Sequence, residues 1–473
     1  MENNKNNAFG MIGLGTMGSN LLQNIADHGY NCAGYDNDAK KVDTLNNLKN
    51  DNIQGFADLK EFVNSLKSPK TVMMLVPAGK IVDIVIAELL EVLDKGDIII
   101  DGGNSHFTDT DRRSKDLEEK GFHFIGMGVS GGEEGARRGP SMMPGGDKNA
   151  YEIVAPILKK IAAQVKGEPT VAYMGKGSAG HFVKMVHNGI EYAIMQLISE
   201  TYEFMKTGLQ MKDEEIHTVF KNWNEGRLQS YLIEITRDIF AFKKPGENHL
   251  FFNDIKDEAK AKGTGKWTSQ AAMDLVVPIP MIDIAVSMRD LSKYKELRVN
   301  ASKLYPNLKD SKSPDDKNEN LIHLENAFYF AMVSAYAQGM HLLYQANIEY
   351  DYKLNLDTIA KIWRGGCIIR SEFLEDIYAA YQKNPELKHL FLDENIHQSL
   401  IKSIPGIRKI VSDAVLNGIA VPAFATSLGY FDNIRSAEMP ANLIQAQRDF
   451  FGSHTYELKG KEGVFHTEWE ESK

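Results

Sequence analysis

The stretch "FGMIGLGTMGSNLLQNIADHG", Phe9 to Gly29, narrows the choice of fold more than any other part of the chain. A short apolar run reads as a β-strand. Gly13, Gly15 and Gly18 follow in G-x-G-x-x-G spacing, with Thr16 and Met17 inside the turn, and a helical apolar period runs on to Gly29. Glycines at such a strand-to-helix turn let backbone approach a pyrophosphate, and the helix N-terminus favours its negative charge. An ordinary tight turn with packing glycines would carry the same local sequence. Asp36 strengthens the dinucleotide reading: it stands 18 positions after Gly18, at the end of a second strand-like run, "YNCAGYD". A carboxylate there accepts hydrogen bonds from the adenosine ribose and repels a 2′-phosphate. Asp38 is placed to cap the helix that follows, and both roles can hold.

Further strand-like runs, "TVMMLVP", "DIIIDGG", "HFIGMGVSG" and "VAYMG", alternate with helical stretches such as "KIVDIVIAELLEVL" and "TDTDRRSKDLEEKG". Near-continuous apolar strands between helices indicate a parallel sheet covered on both faces. From Ser178 the pattern changes to long helical periods, beginning with "SAGHFVKMVHNGIEYAIMQLISETYEFMKTG". The expected organisation is an α/β Rossmann-type domain over 1–177, a large all-α domain over 178–434, and a C-terminal tail over 435–473. "KDSKSPDDKNEN" reads as an exposed loop.

The formal net charge of -10 disfavours nucleic acid as a partner, since a phosphate backbone wants a basic face. Local basic clusters can still hold a small anion. Two cysteines, Cys32 and Cys367, make a disulfide framework unlikely to be the organising device and fit a reducing, cytoplasmic setting. "MENNKNN" lacks the apolar core of a signal peptide. No apolar run reaches ~18 residues, so no membrane span is expected. No H-E-x-x-H or paired Cys-x-x-Cys set is present, and no metal is expected.

Three other stretches carry chemistry. In "KMVHNGIEY", Lys184, Asn188 and Glu191 stand at i, i+4 and i+7, on one helical face flanked by His187 and Tyr192. A surface stripe with a Lys–Glu pair would look the same, although the neighbours are apolar and Gly180 and Gly189 permit close approach. "VSGGEEGARRGPSMMPGG" follows a strand and offers backbone N–H groups and the Ser130 hydroxyl to a carboxylate, or is a flexible surface loop. "KGTGKWT", Lys262 to Thr268, is an anion cradle or a simple turn, and Asn104 in "DGGN" can donate to a ligand beyond a strand.

Taken in order, "GLGTMG", "DGGNS", "VSGGEEGARRGPSMMPGG", "GHFVKMVHNGIEY", "KGTGKWT", "WRGGCIIRS" and "QRDFFGSHTYE" resemble the decarboxylating 6-phosphogluconate dehydrogenase family, in its long-chain form. The likeness covers nearly the whole chain. It implies oxidation and decarboxylation of 6-phospho-D-gluconate to D-ribulose 5-phosphate in the pentose phosphate pathway, by a homodimer whose tail reaches the other subunit. It implies Lys184 as general base and Glu191 as the acid that protonates C1 of the enediol, with His187 and Asn188 beside the reacting carbons and no metal required. Asn104, Ser130, Gly131 and Gly132 are implied on the substrate carboxylate and upper hydroxyls. Tyr192, Lys262, Thr264 and Arg289 are implied at the phosphate, with Arg448 and His454 from the partner's tail. Gly13, Gly15, Thr16, Met17, Gly18, Asp36, Asn37, Val76 and Asn104 are implied at the dinucleotide.

One departure concerns the cofactor. NADP-using members of the family commonly read "NRT" where this chain has Asp36, Asn37 and Asp38, and often carry a lysine where it has Pro77. Two like charges ~4 Å apart at an effective dielectric near 20 interact by about 4 kcal/mol, enough to decide the cofactor. NAD is the expected cofactor; Lys40 and Lys41, which are placed to reach a 2′-phosphate, keep NADP open. The competing readings are a related β-hydroxyacid dehydrogenase acting on another phosphorylated sugar acid, and a silent NAD(P)-sensing protein.

Overall fold

Near-continuous apolar strands become the buried sheet that their pattern implies. In the computed structural model, which describes residues 7–305 and 316–469, β1 (Phe9–Ile12), β4 (Thr71–Met74) and β5 (Ile98–Asp101) are buried along their whole length. Two apolar clusters cover the two faces of the sheet. Helices link the strands: α1 (Thr16–Asp27), β2 (Cys32–Tyr35), α2 (Ala39–Asn46), β3 (Ile53–Phe56) and α3 (Leu59–Asn64). After β4 come α4 (Lys80–Leu90), β5, α5 (Phe107–Glu119), β6 (His123–Ser130), α6 (Gly132–Arg138), β7 (Ser141–Gly146) and α7 (Lys148–Ile161). The spatial order is β3-β2-β1-β4-β5-β6-β7. Strand order reverses between β1 and β4, and open α/β sheets bind ligands at the carboxyl ends of strands at such a point.

The sheet is parallel except at its last pair, where β7 runs antiparallel to β6. Of the two alternatives for "VSGGEEGARRGPSMMPGG", the flexible surface loop is excluded: the stretch closes β6, forms the short helix α6 and returns as β7. "VAYMG" is not a strand. Val171 makes one isolated bridge to Met142, and Met174 N–H donates to the Pro144 carbonyl at 2.8 Å. Pro144 has no N–H to return, so the ladder cannot continue. Just before this segment, β8 (Gln164–Val165) and β9 (Glu168–Pro169) form a short pair.

The second half is helical up to the tail. The first helix, α8 (Ala179–Glu203), runs into a π-helical turn over Phe204–Gly208. Then follow α9 (Asp213–Trp223), α10 (Tyr231–Ile239), α11 (Thr264–Asp274), α12 (Pro280–Ser292), α13 (Lys295–Leu304) and α14 (Lys317–Glu349). Next come α15 (Leu356–Trp363), α16 (Phe373–Lys383), α17 (Glu394–Leu416) and α18 (Pro422–Ile434). Most of α8 and α14 is buried, as expected for helices apolar on several sides. Of the expected loop "KDSKSPDDKNEN", positions 309–315 lie outside the described residues, and Lys317 to Asn320 form the first turn of α14.

The tail is not a bare strand of chain. It holds α19 (Ala441–Gly452) and a hairpin of β10 (Tyr456–Leu458) and β11 (Lys461–Phe465). Asp449, fully buried, ties these together by accepting from Thr455 N–H at 3.0 Å, Thr467 N–H at 3.1 Å and the Trp469 indole at 2.9 Å.

The two halves meet where α8 lies on β6 and β7. A side chain at Gly128 would collide with Lys184, and one at Gly180 with the carbonyls of Met143 and Gly126. The backbones therefore touch with almost nothing between them.

Candidate functional site

At the carboxyl end of β1 the three glycines have different surroundings. A Cβ on Gly13, whose φ is +93°, would lie 2.5 Å from the Leu75 carbonyl oxygen and 3.2 Å from Val76 Cγ1. One on Gly18 would collide with the Gly13 carbonyl, so α1 can pack closely only with glycine there. A Cβ on Gly15 meets nothing within 4 Å. Gly15 and Thr16 are exposed and Met17 half-buried at the N-terminus of α1. Packing explains two of the glycines. The third faces open space that a phosphate can enter, which is the fit a dinucleotide requires.

Asp36 stands at the end of β2 and is 6% exposed. Its carboxylate accepts from Leu14 N–H at 2.8 Å and Asp38 N–H at 3.0 Å, and pairs with Lys41 Nζ at 3.1 Å. Burial alone would raise its pKa, but these donors outweigh burial and hold it below the usual carboxylate value. Lys41 is thus engaged with Asp36. Asp38 caps α2 by accepting from Lys40 N–H at 3.0 Å. Asn37 is exposed and Val76 half-buried beside Gly13.

A cavity of about 350 Å³ opens where the strand ends face α8. Asn104, Ser130, Gly131 and Gly132 line its sheet side. Lys184, Asn188, Glu191 and Tyr192 line its helix side, and Lys262, Thr264 and Arg289 its far end. Met17 also reaches this cavity, so the glycine turn and the helix face adjoin. Asn104 is set by Asp101, which accepts from Gly103 N–H at 3.0 Å and the Ser105 hydroxyl at 2.6 Å. The buried Arg113 guanidinium lies 3.5 Å from the same carboxylate.

The Lys184–Asn188–Glu191 face is not a surface stripe. Lys184 and Asn188 are 6% and 8% exposed and His187 fully buried. His187 Nε2 lies 3.1 Å from Ser130 Oγ; its Nδ1 lies 3.1 Å from Asn188 Oδ1 and 3.3 Å from Lys184 Nζ. Burial lowers the Lys184 pKa, with Glu191 and Cys367 opposing. Burial, aided by Lys184, holds His187 well below the usual imidazole value. Burial raises Glu191, against Lys184 and Arg289. The pocket therefore shifts the amine toward its neutral form and the carboxyl toward its protonated form, the directions a base and an acid need for different steps. Gly189 serves backbone approach rather than a ligand: a Cβ there would press on Thr268 of α11 at 2.7 Å.

Arg289 lies over the Tyr192 ring, 3.5 Å from its centroid, and neither Arg289 nor Lys262 makes an ion pair among the described residues. Uncompensated cations at one end suit a phosphate. Arg448 and His454 do not line the cavity in their own chain; both are exposed on the tail. Three lining residues, Val129, Lys260 and Ile368, were not singled out from the sequence. Val129 and Ile368 lie inside the quoted motifs, and Lys260 sits two positions before Lys262, just outside one.

Comparison with known proteins points one way. Residues 8–175 match the NAD binding domain of 6-phosphogluconate dehydrogenase, and residues 180–469 its C-terminal domain. The chain is 48% identical to the NADP(+)-dependent, decarboxylating 6-phosphogluconate dehydrogenase of Bacillus subtilis over 98% of both chains. It is equally similar, 48% over 98% of both, to the decarboxylating enzyme of Escherichia coli K12. Its structure superposes on that of Plasmodium falciparum 6-phosphogluconate dehydrogenase with a TM-score of 0.94, at 45% identity, covering 98% of this chain and all of the other. With both halves matched and identity near one half along its length, the chain belongs to the decarboxylating 6-phosphogluconate dehydrogenase family.

Proposed function

We propose that this chain converts 6-phospho-D-gluconate to D-ribulose 5-phosphate and CO2 with reduction of a nicotinamide dinucleotide, as a step of the pentose phosphate pathway. The observation that carries the reading is the buried Lys184, with its pKa lowered, sharing one cavity with Glu191, whose pKa is raised. Gly13, Gly15, Gly18, Asp36 and Val76 would hold the dinucleotide, which when bound accepts hydride from C3. Neutral Lys184 takes the proton of the 3-hydroxyl as that hydride departs. The resulting ketone lies β to the carboxylate. The ammonium of Lys184 then donates to the ketone oxygen, which receives the electron pair of the breaking C1–C2 bond as CO2 leaves. Glu191 protonates C1 of the enediol.

Asn104, Ser130 and the Gly131–Gly132 backbone hold the carboxylate end in this reading, with His187 and Asn188 beside the reacting carbons. Tyr192, Lys262, Thr264 and Arg289 hold the phosphate. Residues 1–177 carry the dinucleotide, 178–434 the substrate and the dimer contact, and the tail, 435–473, lends Arg448 and His454 to the partner of a cytoplasmic homodimer.

NAD is preferred over NADP in this proposal. The support is an ionised, buried Asp36 at the ribose end, no arginine at that turn, and Pro77 beyond β4. Lys41 tempers the repulsion, yet it is 43% exposed and free to swing out when ribose hydroxyls compete for the carboxylate. The test is kcat/KM for NAD and for NADP with 6-phosphogluconate, with CO2 release measured alongside. A higher value for NADP refutes the preference, and absence of CO2 release refutes the reaction.

A further inference from the structure

Lys260 belongs to the cavity wall, although it lies outside "KGTGKWT". Residues 256–262 form no helix or strand, and both Lys260 and Lys262 line the cavity. The segment is nevertheless tethered. Asp257 is gripped by Lys295 Nζ at 2.8 Å and Arg298 Nη1 at 2.9 Å. Ala259 N–H donates to Ser292 Oγ at 2.9 Å, and that hydroxyl donates to the Arg289 carbonyl at 2.7 Å. The loop that bears Lys260 is thus fastened to the end of α12 that bears Arg289. Lys260, like Lys262 and Arg289, makes no ion pair among the described residues, so its charge is available to a ligand.

We infer that Lys260 is a further cation of the phosphate subsite, beside Lys262 and Arg289 of its own chain, and a specificity-determining residue that reads the dianionic terminus of the substrate. This rests on the proposed function and deepens it. An added positive charge favours binding of the dianion and disfavours sugar acids that lack the second phosphate charge. Being exposed, Lys260 acts on binding, not on the hydride or decarboxylation steps.

The test is steady-state kinetics of Lys260→Ala, Lys260→Glu and Lys260→Arg, with inorganic phosphate as a competitive probe. Loss of one charge-assisted contact is expected to raise the KM for 6-phosphogluconate about tenfold in Lys260→Ala, and further in Lys260→Glu. The kcat and the KM for the dinucleotide should stay at wild-type values, inhibition by phosphate should weaken in parallel, and Lys260→Arg should restore binding. An unchanged KM in both the Ala and Glu variants overturns the inference, as does a fall in kcat at constant KM. Should the wild-type chain prove unable to turn over 6-phosphogluconate, the functional reading fails by itself. Phosphate binding by calorimetry to wild type and Lys260→Ala then decides the subsite, with equal affinities overturning it.

Discussion

Burial pushes the Lys184 amine toward its neutral form, and Glu191 is the first of the groups that oppose this by favouring the ammonium. Lys184→Met should therefore lower kcat by about 10²–10⁴-fold while the KM for 6-phosphogluconate changes little. Lys184→Arg should be as inactive, because a guanidinium stays protonated. Glu191→Gln should move the acid limb of the kcat/KM profile to lower pH, since removing a carboxylate eases deprotonation of the amine. A pH series on both enzymes measures this, and an unmoved limb would separate the limb from Lys184. The shared face of Lys184, Asn188 and Glu191 was legible from helical spacing alone. Their burial was not, because it depends on β6, some 55 residues earlier, arriving beside them with Ser130 aimed at His187.

Among the elements, the glycine turn divides into parts that substitution can tell apart. Gly18→Ala should lower the melting temperature, because α1 must lift from the Gly13 carbonyl. Gly15→Ala should leave melting unchanged and raise the KM for the dinucleotide, because only ligand space is lost. Spacing gave the turn, but only coordinates show which glycine is spared by packing. Glu200 on α8 provides a different case. It is buried and accepts from Ala423 and Phe424 N–H at the start of α18, at 2.8 and 3.1 Å. Burial raises its pKa from 4.5 to about 7. A raised acid stabilises the fold fully below its unfolded value, and that contribution is lost as pH climbs through about 7. A shift of this size corresponds to roughly 3 kcal/mol. Denaturant titrations on either side of neutrality should show that loss in wild type and a flatter profile in Glu200→Gln. The misread segment has a physical cause: whether "VAYMG" pairs along its length is decided by the neighbour it meets, and Pro144 of β7 lacks the N–H to continue the ladder.

For the molecule as a whole, alternation of strand and helix followed by long helices was enough to order the parts. The tail resisted, since neither its hairpin nor the role of Asp449 in tying it together has a local signal. Removing 435–473 should leave the rest folded, by circular dichroism, yet depress kcat/KM through KM, because the tail is proposed to lend Arg448 and His454 to the partner's phosphate subsite. Unchanged kcat/KM in the truncated chain would place those residues outside the site.

The glycine-lined contact of β6 with the first turns of α8 also bears on modularity. Cofactor-binding domains are often treated as interchangeable parts, cut at the linker between sheet and helices. Here a cut near residue 177 would separate Gly126 and Gly128 from the helix they admit at close range, and a foreign strand with a side chain at the second position would push on Lys184, and one at the first on His181. The smallest exchangeable block therefore runs past Asn188. A chimera joined beyond that point keeps the base in register with the sheet, whereas one joined at the linker loses it, however well each half folds.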